Sequence, residues 1–261
     1  MQCQKFMMIV VSAVVLSLLG QASDAERPGG VLRCPGTYEG HLQGIAVDTE
    51  GNIYWSFTVA LVKTDALGTL LWKSVVPDHH GDLWVDGSTV YAAVNHRAVH
   101  GEPGKRDSWI YAYKTDDLSL LWKKKVSEVV SGAGALTKRE GHFFIASGRL
   151  LRKSDANYVY EYDEDCTFMK RHLLDSGATL LGIQTMAYIQ GTWWFGCYGT
   201  PPETLCANEN LTFEKRFDYD CSMGIAPLPG GGFYIGRGKR TPDRRNIGWL
   251  IEVDQPMPED N

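Results

Sequence analysis

Motifs with chemically useful side chains open several short apolar segments of the chain. His41-Leu-Gln43 opens one segment, His79-His-Gly-Asp82 opens a second, and Ile183-Gln184 opens a third. Imidazole, amide and carboxylate groups can hydrogen-bond a polar ligand, transfer protons or ligate a divalent metal. These motifs are therefore the first candidates for a functional site.

A divalent metal site is one hypothesis for these residues. His41, His80 and Gln184 offer ligands that suit Zn or Mn, and an open coordination position could activate water or polarise a carbonyl. The alternative is that the same side chains cap strand starts and hydrogen-bond the backbone in a wet channel. Because successive side chains of an extended segment point in opposite directions, at most one of His79 and His80 is expected to face the channel axis.

An acid–base site is the second hypothesis. Asp82 is the candidate general base, with His80 (or His79) as its catalytic partner, because burial can raise the pKa of a carboxyl group into a useful range. Arg237 is the candidate clamp for an anionic group, and the alternative is a structural Asp82–Arg237 pair across the channel. The candidate ligand-binding residues are His41, Gln43, His79, Asn95, Gln184, Tyr198 and Arg237.

An internal repeat must position these side chains. Five segments share a short strand, a turn containing glycine and an aromatic second strand, and the turn glycines recur every 36 to 54 residues. They are Gly51, Gly87, Gly141, Gly191 and Gly232. This is the spacing of β-propeller blades. We predict an all-β fold, a single five-bladed β-propeller over residues 26–261, with the fifth blade completed by an N-terminal strand at residues 31–34.

The connections predict which face carries the site. Turns after the first and third strands are short, whereas the connections between second and third strands are long in four blades, at residues 95–108, 147–157, 198–203 and 237–248. In a blade, the first strand leaves the face to which the second strand returns. The long connections and the starts of the first strands therefore share one face, and we expect the working surface there.

The N-terminus has the pattern of a secretory signal peptide. Lys5 precedes an apolar run at residues 6–19, and Ser23-Asp24-Ala25 has the small-x-small form of a cleavage site. We predict removal of residues 1–25 and a secreted protein, extracellular or periplasmic, with no membrane span. The formal net charge of −5 without a basic block argues against nucleic acid as a partner.

Five cysteines follow the predicted signal peptide, at positions 34, 166, 197, 206 and 221. Export permits disulfide formation, and the odd number leaves at least one thiol unpaired. Cys197 and Cys206 flank one loop of a predicted hairpin, so we expect these two to form a bridge.

The strands also resemble those of a known family, the plant- and bacterial-type glutaminyl cyclases, which are secreted five-bladed propellers. The resemblance lies in Leu42-Gln-Gly-Ile45, Gly81-Asp82 and Gly224-Ile-Ala226, and it implies cyclisation of an N-terminal glutamine. It implies a substrate-site role for Gln43, the position of the catalytic acid for Asp82, and the places of a family Asn and Lys for Gln184 and Arg237. Family tryptophans fall on Asn95, Tyr198 and residues 132–134. The chain is also similar to secreted bacterial propellers of unknown role.

Three functional hypotheses remain open from the sequence. The leading one is a secreted propeller that binds a small polar or anionic ligand such as a sugar or sugar acid, with catalysis by a lyase or hydrolase left open. The others are a glutaminyl-peptide cyclotransferase and a lectin-like or scaffold propeller without catalytic activity.

Overall fold

The computed structural model describes residues 31–96, 107–147 and 156–257. These residues form twenty β-strands and no helix, and the strands are arranged in five four-stranded antiparallel sheets. The predicted five-bladed β-propeller is therefore confirmed. The predicted signal peptide lies outside the described residues, as do parts of two of the long connections. No helix among the described residues is long and apolar enough to cross a bilayer.

The first four blades each use four consecutive strands, ordered from the propeller axis outwards. Blade 1 contains β2 (Leu42–Val47), β3 (Ile53–Phe57), β4 (Ala60–Thr64) and β5 (Leu70–Val75). Blade 2 contains β6 (His80–Asp86), β7 (Thr89–His96), β8 (Asp107–Lys114) and β9 (Leu120–Lys125). Blade 3 contains β10 (Ala133–Arg139), β11 (His142–Ser147), β12 (Asn157–Tyr162) and β13 (Phe168–Leu174). Blade 4 contains β14 (Leu180–Ile189), β15 (Thr192–Tyr198), β16 (Glu203–Asn208) and β17 (Phe213–Phe217).

Blade 5 joins the two ends of the described chain. Its order from the axis is β18 (Ile225–Pro227), β19 (Phe233–Arg240), β20 (Asn246–Val253) and β1 (Leu32–Arg33). The N-terminal strand pairs antiparallel with β20, as predicted. Closure of the ring in this way covers an edge of β20 that would otherwise be open to pairing with another chain.

The turns between third and fourth strands repeat one local design. In blades 1, 3 and 4 an Asp or Asn side chain accepts a hydrogen bond from the backbone N–H of a threonine four residues later, at 2.7 to 3.1 Å. The residue before that threonine has a positive φ, which glycine adopts without strain. The three turns are Asp65–Thr69, Asp163–Thr167 and Asn208–Thr212. An Asp or Asn at the first position thus sets the turn.

The core lies between neighbouring blades. Trp193 and Trp194 are consecutive in β15, so their rings pack on opposite faces of blade 4. Trp193 contacts Phe144 of blade 3, with ring centroids 4.8 Å apart, and Trp194 contacts Phe233 of blade 5 at 6.4 Å. Burial of each large aromatic side chain stabilises the fold by about 2–3 kcal/mol. Each blade therefore depends on both neighbours for its core.

The expected long loop at residues 237–248 is mostly strand. β19 continues to Arg240 and β20 begins at Asn246, so only residues 241–245 form a turn. The interspersed glycines and charges of this segment suggest a loop, but Lys239 pairs with Ile247 and Arg240 with Asn246. The backbone of Asn246 also exchanges hydrogen bonds with Tyr38, at 2.8 and 2.9 Å. These pairings hold the segment in an extended conformation.

The predicted Cys197–Cys206 disulfide is wrong. All five described cysteines are free. Cys197 lies opposite Glu203 in the ladder of β15 and β16, whereas Cys206 lies opposite Trp194, three positions away. An odd offset places the two side chains on opposite faces of the blade, so their sulfur atoms cannot meet. Burial raises the pKa of the Cys197 thiol to about 12, which keeps it protonated.

Candidate functional site

The starts of the first strands and the ends of the second strands lie at one face, which we call the mouth face. Leu42 pairs with Phe57, His80 with Val94 and Leu180 with Tyr198. In each of blades 1 to 4 the pairing register shifts near this end, which marks a β-bulge or irregularity. Bulges redirect side chains and are frequent beside functional sites.

Residues from three blades meet at the mouth face. The Gln43 amide nitrogen lies 2.9 Å from His41 Nε2, 3.0 Å from His79 Nε2 and 3.3 Å from Thr58 Oγ1. The Tyr198 hydroxyl lies 3.0 Å from His41 Nε2. Gln43 is only 3% exposed, whereas His41 is exposed. We call His41, Gln43, Thr58, His79 and Tyr198 the mouth cluster.

The mouth cluster is a set of hydrogen-bonding groups that contains no Asp, Glu, Lys or Arg. An amide nitrogen can only donate, and its two hydrogens can serve two of the three nearby acceptors, which are Nε2 of His41, Nε2 of His79 and Oγ1 of Thr58. Burial raises the pKa of the Tyr198 hydroxyl to about 12, and the nearby charge of Asp220 adds to this effect. Tyr198 is therefore a protonated phenol within hydrogen-bond distance of His41. The imidazole, amide, hydroxyl and phenol groups of the cluster can hydrogen-bond hydroxyl or carbonyl groups.

His80 does not belong to the mouth cluster. It is fully buried in blade 2, with Nδ1 2.8 Å from the Pro77 carbonyl and Nε2 2.6 Å from the Tyr113 hydroxyl. Burial lowers the pKa of His80 to about 4, so the ring is neutral at pH 7 and donates from Nδ1 to Pro77. Of the adjacent pair His79 and His80, only His79 contacts the mouth cluster.

The predicted metal ligands are not brought together. Both ring nitrogens of His80 have protein partners, and Gln184 donates its amide hydrogen to the Leu181 carbonyl at 2.6 Å. Within the part of the chain that the structure describes, no three His, Cys, Asp or Glu side chains are grouped to hold a metal ion. The arrangement of His41, His80 and Gln184 thus gives no support to a Zn or Mn site.

Asp82 lies on the propeller axis and not at the mouth. Its Oδ2 accepts hydrogen bonds from the backbone N–H of Met186 in blade 4 at 2.9 Å and of Leu136 in blade 3 at 3.4 Å. On the blade 1 side, a Cβ on Gly44 would lie 2.5 Å from the Asp82 Cα, so only glycine fits there. Asp82 is 0% exposed, and burial raises the pKa of its carboxyl group well above the usual value. In the structure this carboxyl group connects blades around the axis.

Arg237 and Asn95 lie at the mouth face but outside the cluster. The Arg237 guanidinium donates to the carbonyl of Asp220 and, at 3.1 Å, to that of Gly236. The alternative of a structural Asp82–Arg237 pair is therefore not borne out, since among the described residues Asp82 bonds only backbone N–H groups. The Asn95 side chain packs against Gly132, whose Cβ, if present, would lie 2.4 Å from Asn95 Nδ2. The Asn95 backbone N–H donates to the His79 carbonyl at 3.0 Å.

Two features of the mouth are not among the residues predicted from the sequence. Thr58 is a member of the cluster, and its backbone N–H donates to the His41 carbonyl at 3.2 Å. Leu180 and Leu181 are 57% and 40% exposed at the start of β14, where Leu181 has a φ of 58°. The sequence does contain a signal for these exposed leucines. Leu180-Leu-Gly182 is apolar at a strand start, whereas the corresponding strand starts in blades 1 and 2 are polar.

Comparison with known proteins supports the fold only. No family model matches the chain, and no curated protein matches its sequence, so nothing specifically supports the resemblance to glutaminyl cyclases. The "Bifunctional GH43-CE" of Bacteroides eggerthii is similar with a TM-score of 0.58 and 12% identity, over 88% of this chain and 35% of that chain. The fold and the mouth cluster together define a five-bladed β-propeller with a cluster of polar side chains at one end of its axis.

Two further structures are similar at a lower level. A protein of unknown function from Bacteroides caccae gives a TM-score of 0.49 and 15% identity, over 74% of this chain and 69% of that chain. Hydrazine synthase from Kuenenia stuttgartiensis gives 0.49 and 12%, over 73% and 60% of the two chains. This chain thus spans less than two thirds of two of these three relatives.

Proposed function

We propose that the protein binds a small polar ligand, a sugar or sugar acid, at the mouth cluster. The observation that carries this proposal is the buried Gln43 amide, which links His41 and His79 from two blades, while His41 in turn contacts Tyr198 of a third blade. A specific polar site usually consists of donors and acceptors that buried neighbours hold in place and that are exposed to solvent on one side.

The chemistry of the cluster matches a ligand rich in hydroxyl groups. Imidazole, amide and phenol groups each donate or accept, and the cluster holds them in place before the ligand arrives, which lowers the entropic cost of binding. The adjacent Leu180 and Leu181 present exposed apolar surface, and a sugar ring has an apolar face of C–H groups beside its hydroxyls. The mouth therefore suits both kinds of surface on such a ligand.

The proposal is for binding and assigns no reaction. A general base must come within hydrogen-bond reach of the proton that it removes, whereas Asp82 is fully buried on the axis and His80 is fully buried in blade 2. A cyclotransferase that uses Asp82 is the second candidate. It predicts conversion of an N-terminal glutaminyl peptide to pyroglutamate that is lost in Asp82→Asn, and we expect no conversion by the wild-type protein.

We also propose that the mature protein is exported. This rests on the apolar run at residues 6–19 and the Ser23-Asp24-Ala25 sequence that follows it. Mass spectrometry of the protein from its native cells tests it directly, because export predicts an N-terminus at Glu26 in the secreted or periplasmic fraction.

Binding can be tested with a panel of monosaccharides and their uronic acids, by saturation-transfer NMR and calorimetry on the mature protein. We expect His41→Ala and Gln43→Leu to weaken binding by about tenfold or more, as loss of hydrogen bonds to a polar ligand generally does. Gln190→Asn is the matched control, since Gln190 lies in the turn at the opposite face. His41 is exposed, so His41→Ala leaves the fold intact even where Gln43→Leu does not. Equal binding by wild type and His41→Ala would overturn the proposal.

A further inference from the structure

A basic arm rises beside the mouth cluster. It consists of residues 237–245, the end of β19 and the turn before β20. Five of these nine residues are Arg or Lys and one is Asp, whereas the chain as a whole has five more acidic than basic side chains. A local reversal of charge in an acidic protein attracts anions to that place.

The arm extends beyond its own blade. β18 ends its pairing with β19 at Ile225 opposite Ile235, and Gly236 donates to the Gly224 carbonyl. From Arg237 onwards, the described partner of β19 in the sheet is β20 alone. The arm is therefore a two-stranded projection on the mouth face.

Both sides of the base of the arm contact mouth residues. A Cβ on Gly238 would lie 3.5 Å from the Leu42 Cβ, and Leu42 is flanked by His41 and Gln43. Arg237 donates to the Asp220 carbonyl, and the charge of Asp220 acts on the Tyr198 hydroxyl. The base of the arm is thus adjacent to the mouth cluster.

The outer cations of the arm are exposed and available to a ligand. Lys239, Arg240 and Arg244 are exposed, and none of them forms an ion pair with another described residue. Arg245, by contrast, is 3.4 Å from Glu39 and donates to the Thr37 carbonyl at 3.0 Å. Arg245 therefore anchors the arm, while Lys239 and Arg240 lie closest along the chain to the mouth contact at Gly238.

We propose that Arg240 binds the negatively charged group of the ligand whose hydroxyl groups the mouth cluster holds, so that the ligand is an acidic sugar. Arg240 lies on the same face of β19 as Gly238, which is the Leu42 side of the arm. Lys239 on the opposite face adds to the positive charge of the arm. This inference rests on the proposed function. The mouth cluster contains no Lys, Arg, Asp or Glu side chain, and the arm adds the permanent charge that the cluster lacks. Arginine matches a carboxylate or sulfate with two parallel hydrogen bonds, and lysine adds a point charge. A free sugar acid and the end of an acidic polysaccharide present the same chemistry.

The test compares glucose, glucuronate and a tetra-uronide as ligands of the mature protein by calorimetry. We expect wild type to bind glucuronate at least about tenfold more tightly than glucose, and Lys239→Gln/Arg240→Gln to lose this preference while it still binds glucose. The preference should also shrink as ionic strength rises from about 20 to about 300 mM. Lys114→Gln/Lys215→Gln is the matched control, because it removes the same charge from exposed positions on blades 2 and 4.

The outcomes separate this inference from the proposed function. If the arm variant keeps the glucuronate preference while His41→Ala loses both sugars, the arm has no binding role and the mouth site stands. If wild type binds neither glucuronate, glucose nor the tetra-uronide, both proposals are overturned. If the arm variant loses affinity for the tetra-uronide but not for glucuronate, the ligand is the end of an acidic polysaccharide and not a free sugar acid.

Discussion

At the scale of single residues, Asp82 and the mouth cluster divide the predicted site into a structural part and an accessible part. Asp82 accepts backbone hydrogen bonds from two blades while fully buried, and its Oδ1 has no partner among the described residues. The cost of burying a charge raises its pKa. The cluster above it holds polar groups at an exposed rim. Proximity in the sequence does not imply one shared role. Only Gly81 separates His80 from Asp82, yet the His80 side chain is buried inside blade 2 and the Asp82 side chain is buried between blades at the axis.

The raised pKa of Asp82 predicts how its contribution to stability depends on pH. The folded-state pKa lies above the unfolded value of 3.8, so the stabilising contribution is complete below about pH 4 and is lost as pH rises through the folded-state pKa. Asp82→Asn keeps an acceptor oxygen and does not titrate. We expect its free energy of unfolding to improve relative to wild type by at least about 1 kcal/mol between pH 5 and pH 8, measured by urea denaturation.

Asp82→Ala is the companion variant, since it removes the acceptor altogether. It should lose about 2–3 kcal/mol below about pH 4, because the N–H groups of Leu136 and Met186 stay buried without a partner. This deficit relative to wild type should shrink as pH rises through the folded-state pKa of Asp82. A difference between Asp82→Asn and wild type that does not change with pH would contradict a raised pKa.

At the scale of elements, blade 5 depends on a small number of contacts between β20 and the N-terminal segment. Leu32 and Arg33 pair with β20, and Asn246 extends the contact through its side chain, which donates to the Glu39 carbonyl at 3.0 Å and to the Tyr38 carbonyl at 3.3 Å. The same segment supports the basic arm through Arg245. The same N-terminal segment therefore closes the ring and holds the basic arm in place.

Asn246→Asp tests this link with almost no change in shape. The substitution replaces the amide donor by a carboxylate that faces two carbonyl oxygens, so we expect the free energy of unfolding to fall by about 2–3 kcal/mol. Asn210→Asp, at an exposed turn position, should change it by less than about 0.5 kcal/mol. Thermal or urea unfolding of the two variants measures the difference, and equal stabilities would show that the side chain of Asn246 does not hold the closure.

At the scale of the whole molecule, stability comes from a ring in which each blade packs against both neighbours. Trp193 and Trp194 illustrate this, with one ring towards blade 3 and the other towards blade 5. Asp82 adds polar contacts across the axis. In such a ring the loss of one closing strand exposes a sheet edge and weakens the interface of a whole blade.

A truncated protein that begins at residue 36 tests how much closure of the ring contributes to stability. It lacks β1 and the Cys34 N–H bond to Gly248, so the edge of β20 is open. We expect the melting temperature to fall by at least about 5 °C and the protein to associate in gel filtration. A protein that begins at residue 31 is the control and should remain a stable monomer of wild-type melting temperature. The same behaviour in both proteins would mean that β1 does not close the ring.

Features that depend on local patterns were predictable from the sequence, whereas features that depend on contacts between distant parts of the chain were not. Blade number, strand order and the closing strand followed from turn glycines and alternating apolar residues, which are local patterns repeated along the chain. The sequence predicts a loop at residues 237–248, because the glycines and cations of this hairpin are unfavourable for a strand by themselves. Its strands are held by pairing with each other and with Tyr38, which lies about 200 positions away in the chain.

What the sequence determined by itself was therefore the architecture and the face on which polar side chains collect. Which side chains meet was decided only by the tertiary structure. The register shifts at the strand starts, between Leu42 and Gly44 in blade 1 and between His80 and Leu83 in blade 2, interrupt the simple alternation of side chains at the very positions that carry the site. Through these shifts, Gln43 and His79 meet at the mouth, while His80 and Asp82 are buried. Because a bulge depends on packing between blades, no local pattern in the chain specifies its outcome.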